Sequence, residues 1–340
     1  MAILDERELD ELLSRPHEAD REAMKRMVGD LIVLGAGGKM GPSLALLARR
    51  AADESSVRKR IIAVSRFPDP LLAAQLEQRG IEVIPSDLLE PKALDRLPDC
   101  ENVIFMAARK FGTTGQEPLT WAMNTYLPGK VAERYAASRI VAFSTGNVYP
   151  LVPVRSGGSV ETDRTAPAGE YAQSALGRER IFEYWSITNG TPTVLLRLNY
   201  AVDLRYGVLL DIAQKVFEQR PVDLTMPAVN VIWQGDANSV CLRALEAAQT
   251  PARILNVTGP ETISVRQLAL QFGERFGREP RFEGSESPTA LLSNASRCHS
   301  LFGPPSVSLG QMIEWVAAWV LSAGRTFGKP THFEQRAGIF

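Results

Sequence analysis

The stretch LIVLGAGGKMGPSLALLARR, residues 31–50, decides the fold of this 340-residue chain. Its first four residues are all apolar, as in a strand covered on both faces, and the residues from Pro42 onward carry the spacing of an amphipathic helix. Between strand and helix stand Gly35, Gly37, Gly38 and Gly41. Read as G-x-G-x-x-G, the third glycine falls on Met40; read as G-x-x-G-x-x-G, the pattern closes on Gly35, Gly38 and Gly41. Glycines are needed there because the turn is tight, the backbone must approach a diphosphate, and the helix start must press against the strand. Free N–H groups and the dipole at the helix N-terminus favour phosphate, and Pro42 in the first turn costs no hydrogen bond. The expectation is a dinucleotide site formed by Gly35, Gly37, Gly38, Lys39, Met40 and Gly41.

Outward from this turn, short apolar runs alternate with helical stretches: IIAVS (61–65), IEVIP (81–85), NVIFMA (102–107), RIVAFS (139–144) and TVLLRL (193–198). Strands this apolar predict an α/β fold, a Rossmann-type doubly wound parallel sheet covered by helices. The second run ends in Ser65 and Arg66, where an acidic residue would hold the ribose hydroxyls of NAD. A small residue followed by a guanidinium accepts a 2′-phosphate, so NADP is preferred and NAD is the alternative.

The boundaries follow from the change of pattern. Residues 1–28 read as an N-terminal helical arm, with Leu9, Leu12 and Leu13 on one helix and Ala23, Met24 and Met27 on the next. Residues 29–200 read as the dinucleotide-binding domain, with returning segments at about 230–260. Residues 201–229 and 261–323 read as a smaller C-terminal α/β substrate lobe, and 324–340 as a tail lying over the surface. The Gly/Pro/Ser-rich connection through residues 145–170 is long enough to be functional.

Composition narrows the function. A net charge of −1 offers no attraction to nucleic acid or anionic lipid, and no apolar run reaches a membrane span. Cys100, Cys241 and Cys298 match neither a disulfide framework nor a metal pattern, which suits a reducing cytoplasm. His17, His299 and His332 are too scattered for a metal motif, so no metal is expected.

With these residues in place, the chain resembles the extended short-chain dehydrogenase/reductase family, which includes the sugar epimerases and dehydratases. The glycine spacing is that family's, and further matches follow in order: Asp87 in SDLL, FMAA (105–108), Asn124 in WAMNTYLPGK, FSTGNVYP (143–150), Tyr171 with Glu179, and LNVTGPE (255–261). The resemblance implies that Asp87, Leu88, Ala107, Ala108 and Asn124 meet the cofactor. It implies that Tyr171 moves the proton of a substrate oxygen held by Thr145, with Ser144 adjacent. Asn147, Tyr149, Asn199 and Arg205 are the implied substrate contacts. Family dehydratases follow the Thr with an acid pair; Gly146 and Asn147 stand there, which disfavours elimination of water. Family members often dimerise through helices equivalent to about 117–137 and 171–187, and Trp121, Tyr126 and Trp185 suit such a seam.

One position departs from the family. The active-site lysine is replaced by Ala175. A charge about 5 Å from a phenol, at an effective dielectric near 20, contributes about 3 kcal/mol, or about 2 pKa units. Its loss handicaps alcohol oxidation more than proton donation by a neutral tyrosine. Arg178 shares a helix face with Tyr171 and leans toward the gap, although a surface ion pair is its commoner fate; Arg109 and Lys110 are the other candidate cations. Two functions remain open: an oxidoreductase or epimerase acting on a hydroxyl or carbonyl of a sugar-like or nucleotide-sugar molecule, and a catalytically silent NAD(P)-binding sensor or scaffold.

Overall fold

The structure is a computed structural model and describes Ile3 and residues 5–338. Two short helices lead the chain, α1 (Glu6–Leu13) and α2 (Glu18–Arg26). Leu9 and Leu13 of α1 enter the core of the lobe, while Met24 and Met27 join the core of the sheet domain. The arm thus pins the two cores to each other.

The sheet domain follows as β1 (Leu31–Leu34), α3 (Gly41–Glu54), β2 (Ile61–Ser65), α4 (Pro70–Gln78), β3 (Glu82–Pro85) and β4 (Asn102–Phe105). Next come α5 (Glu117–Trp121), a π-helical turn at Ala122–Tyr126, α6 (Leu127–Arg134) and β5 (Arg139–Thr145). After the short β6 (Val152–Pro153), α7 (Gly169–Asn189) leads into β7 (Thr193–Leu198). Then come β8 (Ala201–Val202), α8 (Val208–Phe217), β9 (Val222–Asp223), β10 (Ala228–Val229), β11 (Ile232–Trp233), α9 (Gln234–Ala244) and β12 (Arg253–Val257). The chain continues through α10 (Val265–Phe276), α11 (Ser296–Phe302) and α12 (Leu309–Leu321).

Seven parallel strands form the main sheet in the order β12-β7-β5-β4-β1-β2-β3. All four residues of β1 are buried, Leu31 pairing with Ile61 on one side and Asn102 on the other. The strand order reverses between β1 and β4, and in such sheets the crevice beyond the carboxyl ends at that point is the ligand site. The doubly wound fold expected from the apolar runs is the one observed.

The tail departs from expectation. Instead of lying on the surface, it buries Thr331 and Phe333, and Phe333 joins the lobe core. A single phenylalanine without periodic neighbours gave no warning of this. No helix among the described residues is long and apolar enough to cross a membrane.

Candidate active site

The glycine turn is shaped by contact distances that exclude side chains. Gly35 has φ +95°, and a Cβ there would lie 2.5 Å from the backbone nitrogen of Ala107. A Cβ on Gly41 would lie 2.3 Å from the carbonyl oxygen of Ala36, so α3 starts in direct contact with the turn. Met40 is the N-cap and supplies no side-chain bond, leaving the helix start to its backbone N–H groups. Gly37 faces Ser65, whose Oγ would be 2.6 Å from an added Cβ, while Arg66 is exposed. Asp87 accepts from the Leu89 N–H (3.0 Å); Leu88 and Ala107 are buried and Ala108 is exposed.

Lys39 reaches from the glycine turn to the lobe. Its Nζ donates to the Ala201 carbonyl (2.8 Å) and sits 4.2 Å from the ring centroid of Tyr206, both at the start of the lobe. Burial pushes this amine down to about 8, with the Asp203 carboxylate opposing the shift.

Tyr171 and Thr145 come together at the carboxyl end of the sheet, their side chains hydrogen-bonded to each other. Thr145 Oγ1 also accepts from the Asn147 backbone N–H (3.2 Å) and from its side-chain amide (3.0 Å). Those two donors leave the threonine's own O–H for the tyrosine oxygen. Burial holds the Tyr171 phenol above its ordinary value; the Thr145 bond and the Arg178 charge work against that and do not cancel it. At Gly146 a Cβ would lie 3.1 Å from Ser293 Oγ and 3.2 Å from the Asn199 side chain, so a larger residue beside Thr145 would have to displace both. Asn199 is buried, and its side-chain Nδ2 has no hydrogen-bond partner among the described residues.

The place vacated by the missing lysine is solid. Ala175 is buried against Val148, Tyr149 and Leu176. The cation comes from one turn further along α7. Arg178, read from sequence as a surface ion pair, is buried, donating through Nη1 to Phe143 O (2.7 Å), Nη2 to Asn124 Oδ1 (2.9 Å) and Nε to Asn124 O (3.2 Å). Burial brings its guanidinium down to about 10, opposed by Tyr171 and Glu179. Spacing alone shows that residues 171 and 178 share a face; it does not show that the face is covered by α6 and the π turn.

Asn124 is the keystone of this arrangement. Its Oδ1 also accepts from the Arg109 N–H (2.8 Å), and its Nδ2 donates to Arg109 O (2.9 Å) and Ser174 Oγ (3.0 Å). The side chain expected to touch cofactor is therefore spent on tying the loop after β4 to α7.

Three further residues expected at the site have partners within the fold. Ser144 Oγ donates to Glu179 Oε1 (2.5 Å). Tyr149 is buried, donating to Asn256 Oδ1 (2.9 Å) and accepting from Arg197 Nη1 (2.7 Å). Arg197 closes the network with a bond from Nη2 to Glu179 Oε2 (2.7 Å), both side chains fully covered. Arg205 pairs with Asp10 (2.9 Å) and Glu6 (3.6 Å) of α1, so it anchors the arm. Arg197 was legible in principle: a guanidinium inside the buried run TVLLRL must have a partner. Among the described residues no group of His, Cys, Asp or Glu is arranged to hold a metal.

Comparison with known proteins follows this geometry. The model of the NAD-dependent epimerase/dehydratase family matches residues 31–202. No curated protein matches the sequence. Among solved structures, the UDP-glucuronic acid 4-epimerase from Bacillus cereus, in complex with UDP-glucuronic acid and NAD, is 18% identical, with a TM-score of 0.71 over 86% of this chain and 99% of that one. The UDP-glucose 4-epimerase from Thermotoga maritima, held with UDP-glucose, is 16% identical, with a TM-score of 0.70 over 86% of this chain and 99% of its own. The Thermus thermophilus UDP-glucose 4-epimerase, in complex with NAD, is 18% identical, with a TM-score of 0.68 over 85% of this chain and 97% of its own.

Proposed function

Since the chain belongs to the NAD-dependent epimerase/dehydratase family, we propose that it binds a nicotinamide dinucleotide across the glycine turn and acts as an oxidoreductase or epimerase on a hydroxyl or carbonyl of a sugar-like molecule. The observation that carries this reading is the buried Tyr171–Thr145 hydrogen bond with the Arg178 guanidinium acting on the phenol. When bound, the nicotinamide supplies or accepts the hydride. The chain's own work is to hold the reacting oxygen. Thr145, oriented by Asn147, positions that oxygen, and Tyr171 gives it a proton or takes one. With the phenol held above its ordinary value, Tyr171 is protonated at neutral pH, which favours donation to a carbonyl oxygen over removal of a hydroxyl proton. Gly146 and Asn147 supply no acid pair, so elimination of water is not part of the reading.

NADP is proposed over NAD because β2 ends in Ser65 with Arg66 exposed beside it. Arg66→Ala should then weaken NADPH about tenfold and leave NADH unchanged. The cysteines are free and buried, which suits a reducing cytoplasm. A homodimer is proposed through the face where Tyr126 (61% exposed), Tyr184 (57%) and Ile187 (65%) stand in water. Light scattering should give twice the chain mass, falling to one chain in Ile187→Glu.

The test of the reaction is direct. Fluorescence titration with NADPH and NADH should show binding, and a panel of sugars and ketones should show cofactor turnover. Tyr171→Phe should lower that turnover by about 10²–10⁴-fold with cofactor affinity kept. Tight binding with no turnover in the unaltered protein would instead establish the silent cofactor-binding reading.

A further inference from the structure

We infer that residues 326–338 form a wall of the catalytic cleft and restrict its substrate to a compact polar molecule carrying no nucleotide; the inference rests on Tyr171 marking the reacting end. The segment begins on the lobe, where the Phe327 N–H donates to Arg205 O (3.0 Å). Thr331 then clasps Asp211 of α8 through its N–H (2.7 Å) and its hydroxyl (2.5 Å). From the sheet domain, Lys110 donates to Thr331 O (3.3 Å) with its ammonium 6.0 Å from the Tyr171 ring centroid. The His332 ring lies 6.1 Å from that of Phe111. Beyond the buried Phe333, Arg336 is fixed to Thr225 O (3.0 Å), Thr289 O (2.9 Å) and Thr289 Oγ1 (2.7 Å). Gly338 ends against the start of α7, where a Cβ would lie 2.0 Å from Ala168 O. The segment therefore crosses from lobe to sheet domain and lands just ahead of Tyr171.

The consequence for the substrate is geometric. A dinucleotide gripped by the glycine turn covers the sheet side of the cleft. Anything attached to the reacting carbon must extend over the lobe, along α8 and the strands that follow it. Residues 326–338 run across those elements, bonded to Asp211, Thr225 and Thr289, and on this inference block that path. Beside Tyr171 the structure gathers Lys110, Tyr200 and Tyr206, with Lys39 over the Tyr206 ring, ammonium and phenol groups that suit the hydroxyls or carboxylate of a monosaccharide-sized molecule.

Calorimetric titration with UDP tests the wall, on the full chain and on a chain ending at Phe327. The full chain should give no binding at millimolar UDP, and the shortened chain should bind at least about tenfold tighter. Should removal of Phe333 unfold the lobe, Arg336→Ala releases Thr225 and Thr289 with Phe333 in place, and its UDP affinity should also rise. Equal UDP affinity in the full and altered chains, or tight UDP binding by the full chain, overturns the inference. Titration of the full chain with NADPH and with NADH keeps the two readings apart: failure of both would remove the catalytic reading while the UDP comparison still reports on the wall.

Discussion

Helix α7 places Arg178 and Glu179 side by side, both buried, in two kinds of company. Glu179 meets a full opposite charge, Arg197, and its remaining lone pairs are taken by Ser144. Arg178 is hydrogen-bonded to the oxygens of Phe143 and Asn124 and lies over the Phe105 ring, company that holds a guanidinium without a direct ion pair. A paired charge exerts little field on its surroundings, whereas one held by carbonyls keeps most of its field, and here the groups that feel it are the Tyr171 phenol first and Glu179 second. The two residues show how one helix divides its buried charges between fastening the fold and tuning the site.

Breaking the fastening half should give the largest effect. Glu179→Ala leaves Arg197 charged, buried and without its partner, and should lower unfolding free energy by about 3–5 kcal/mol, read as a fall in the urea midpoint at unchanged slope. Removing the tuning charge should act on chemistry. Arg178→Met should slow alcohol oxidation by about ten- to a hundredfold and move its rising pH limb upward by about 1–2 units, with Arg178→Lys recovering part of both. A purely structural Arg178 would lower stability and leave the limb where it was.

Ala175→Lys sharpens the contrast further. The position is filled by Val148 and Tyr149, and the cationic role is already taken, so the lysine should cost about 1–3 kcal/mol by overpacking and leave the rate unimproved. A faster enzyme would show that Arg178 does not replace the lost ammonium. The smallest effect concerns pH in the reductive direction. The donor must carry its proton, and the phenol is held above its ordinary value, so carbonyl reduction should stay flat from neutrality into mild alkali and fall only beyond the ordinary tyrosine range. A fall beginning near pH 8 would assign donation to another group, with Lys110, pushed down to about 8 by burial, the first to replace.

How much of this was readable beforehand depended on whether the constraint was local. The turn around Gly35 and Gly41 was legible because its requirement, backbone against backbone, leaves only glycine as an answer. The pairing of Tyr171 with Thr145 was implied by the family resemblance, and the apolar runs alone would not have given it. Arg178 was undecidable by spacing, since its burial is created by the π turn and α6, and helix periodicity cannot say which face a neighbour will cover. The internal partners of Ser144, expected beside the catalytic pair, and of Tyr149 and Arg205, expected at substrate, were not legible, because position in a motif specifies a neighbourhood and not a direction. The tail was opaque for a different reason: its hold on Asp211, Thr225 and Thr289 comes from single side chains and backbone groups with no repeat to detect.

The π-helical turn at Ala122–Tyr126 carries a consequence for how this chain tolerates change in length. Such a turn holds one residue more than an ordinary helical turn, as a helix does after accepting an insertion. Deleting one residue there would restore regular winding and swing Asn124 by roughly 100°. The amide that joins the loop at Arg109 to Ser174 and Arg178 would then face elsewhere, so this stretch should resist shortening even where its individual side chains can be exchanged.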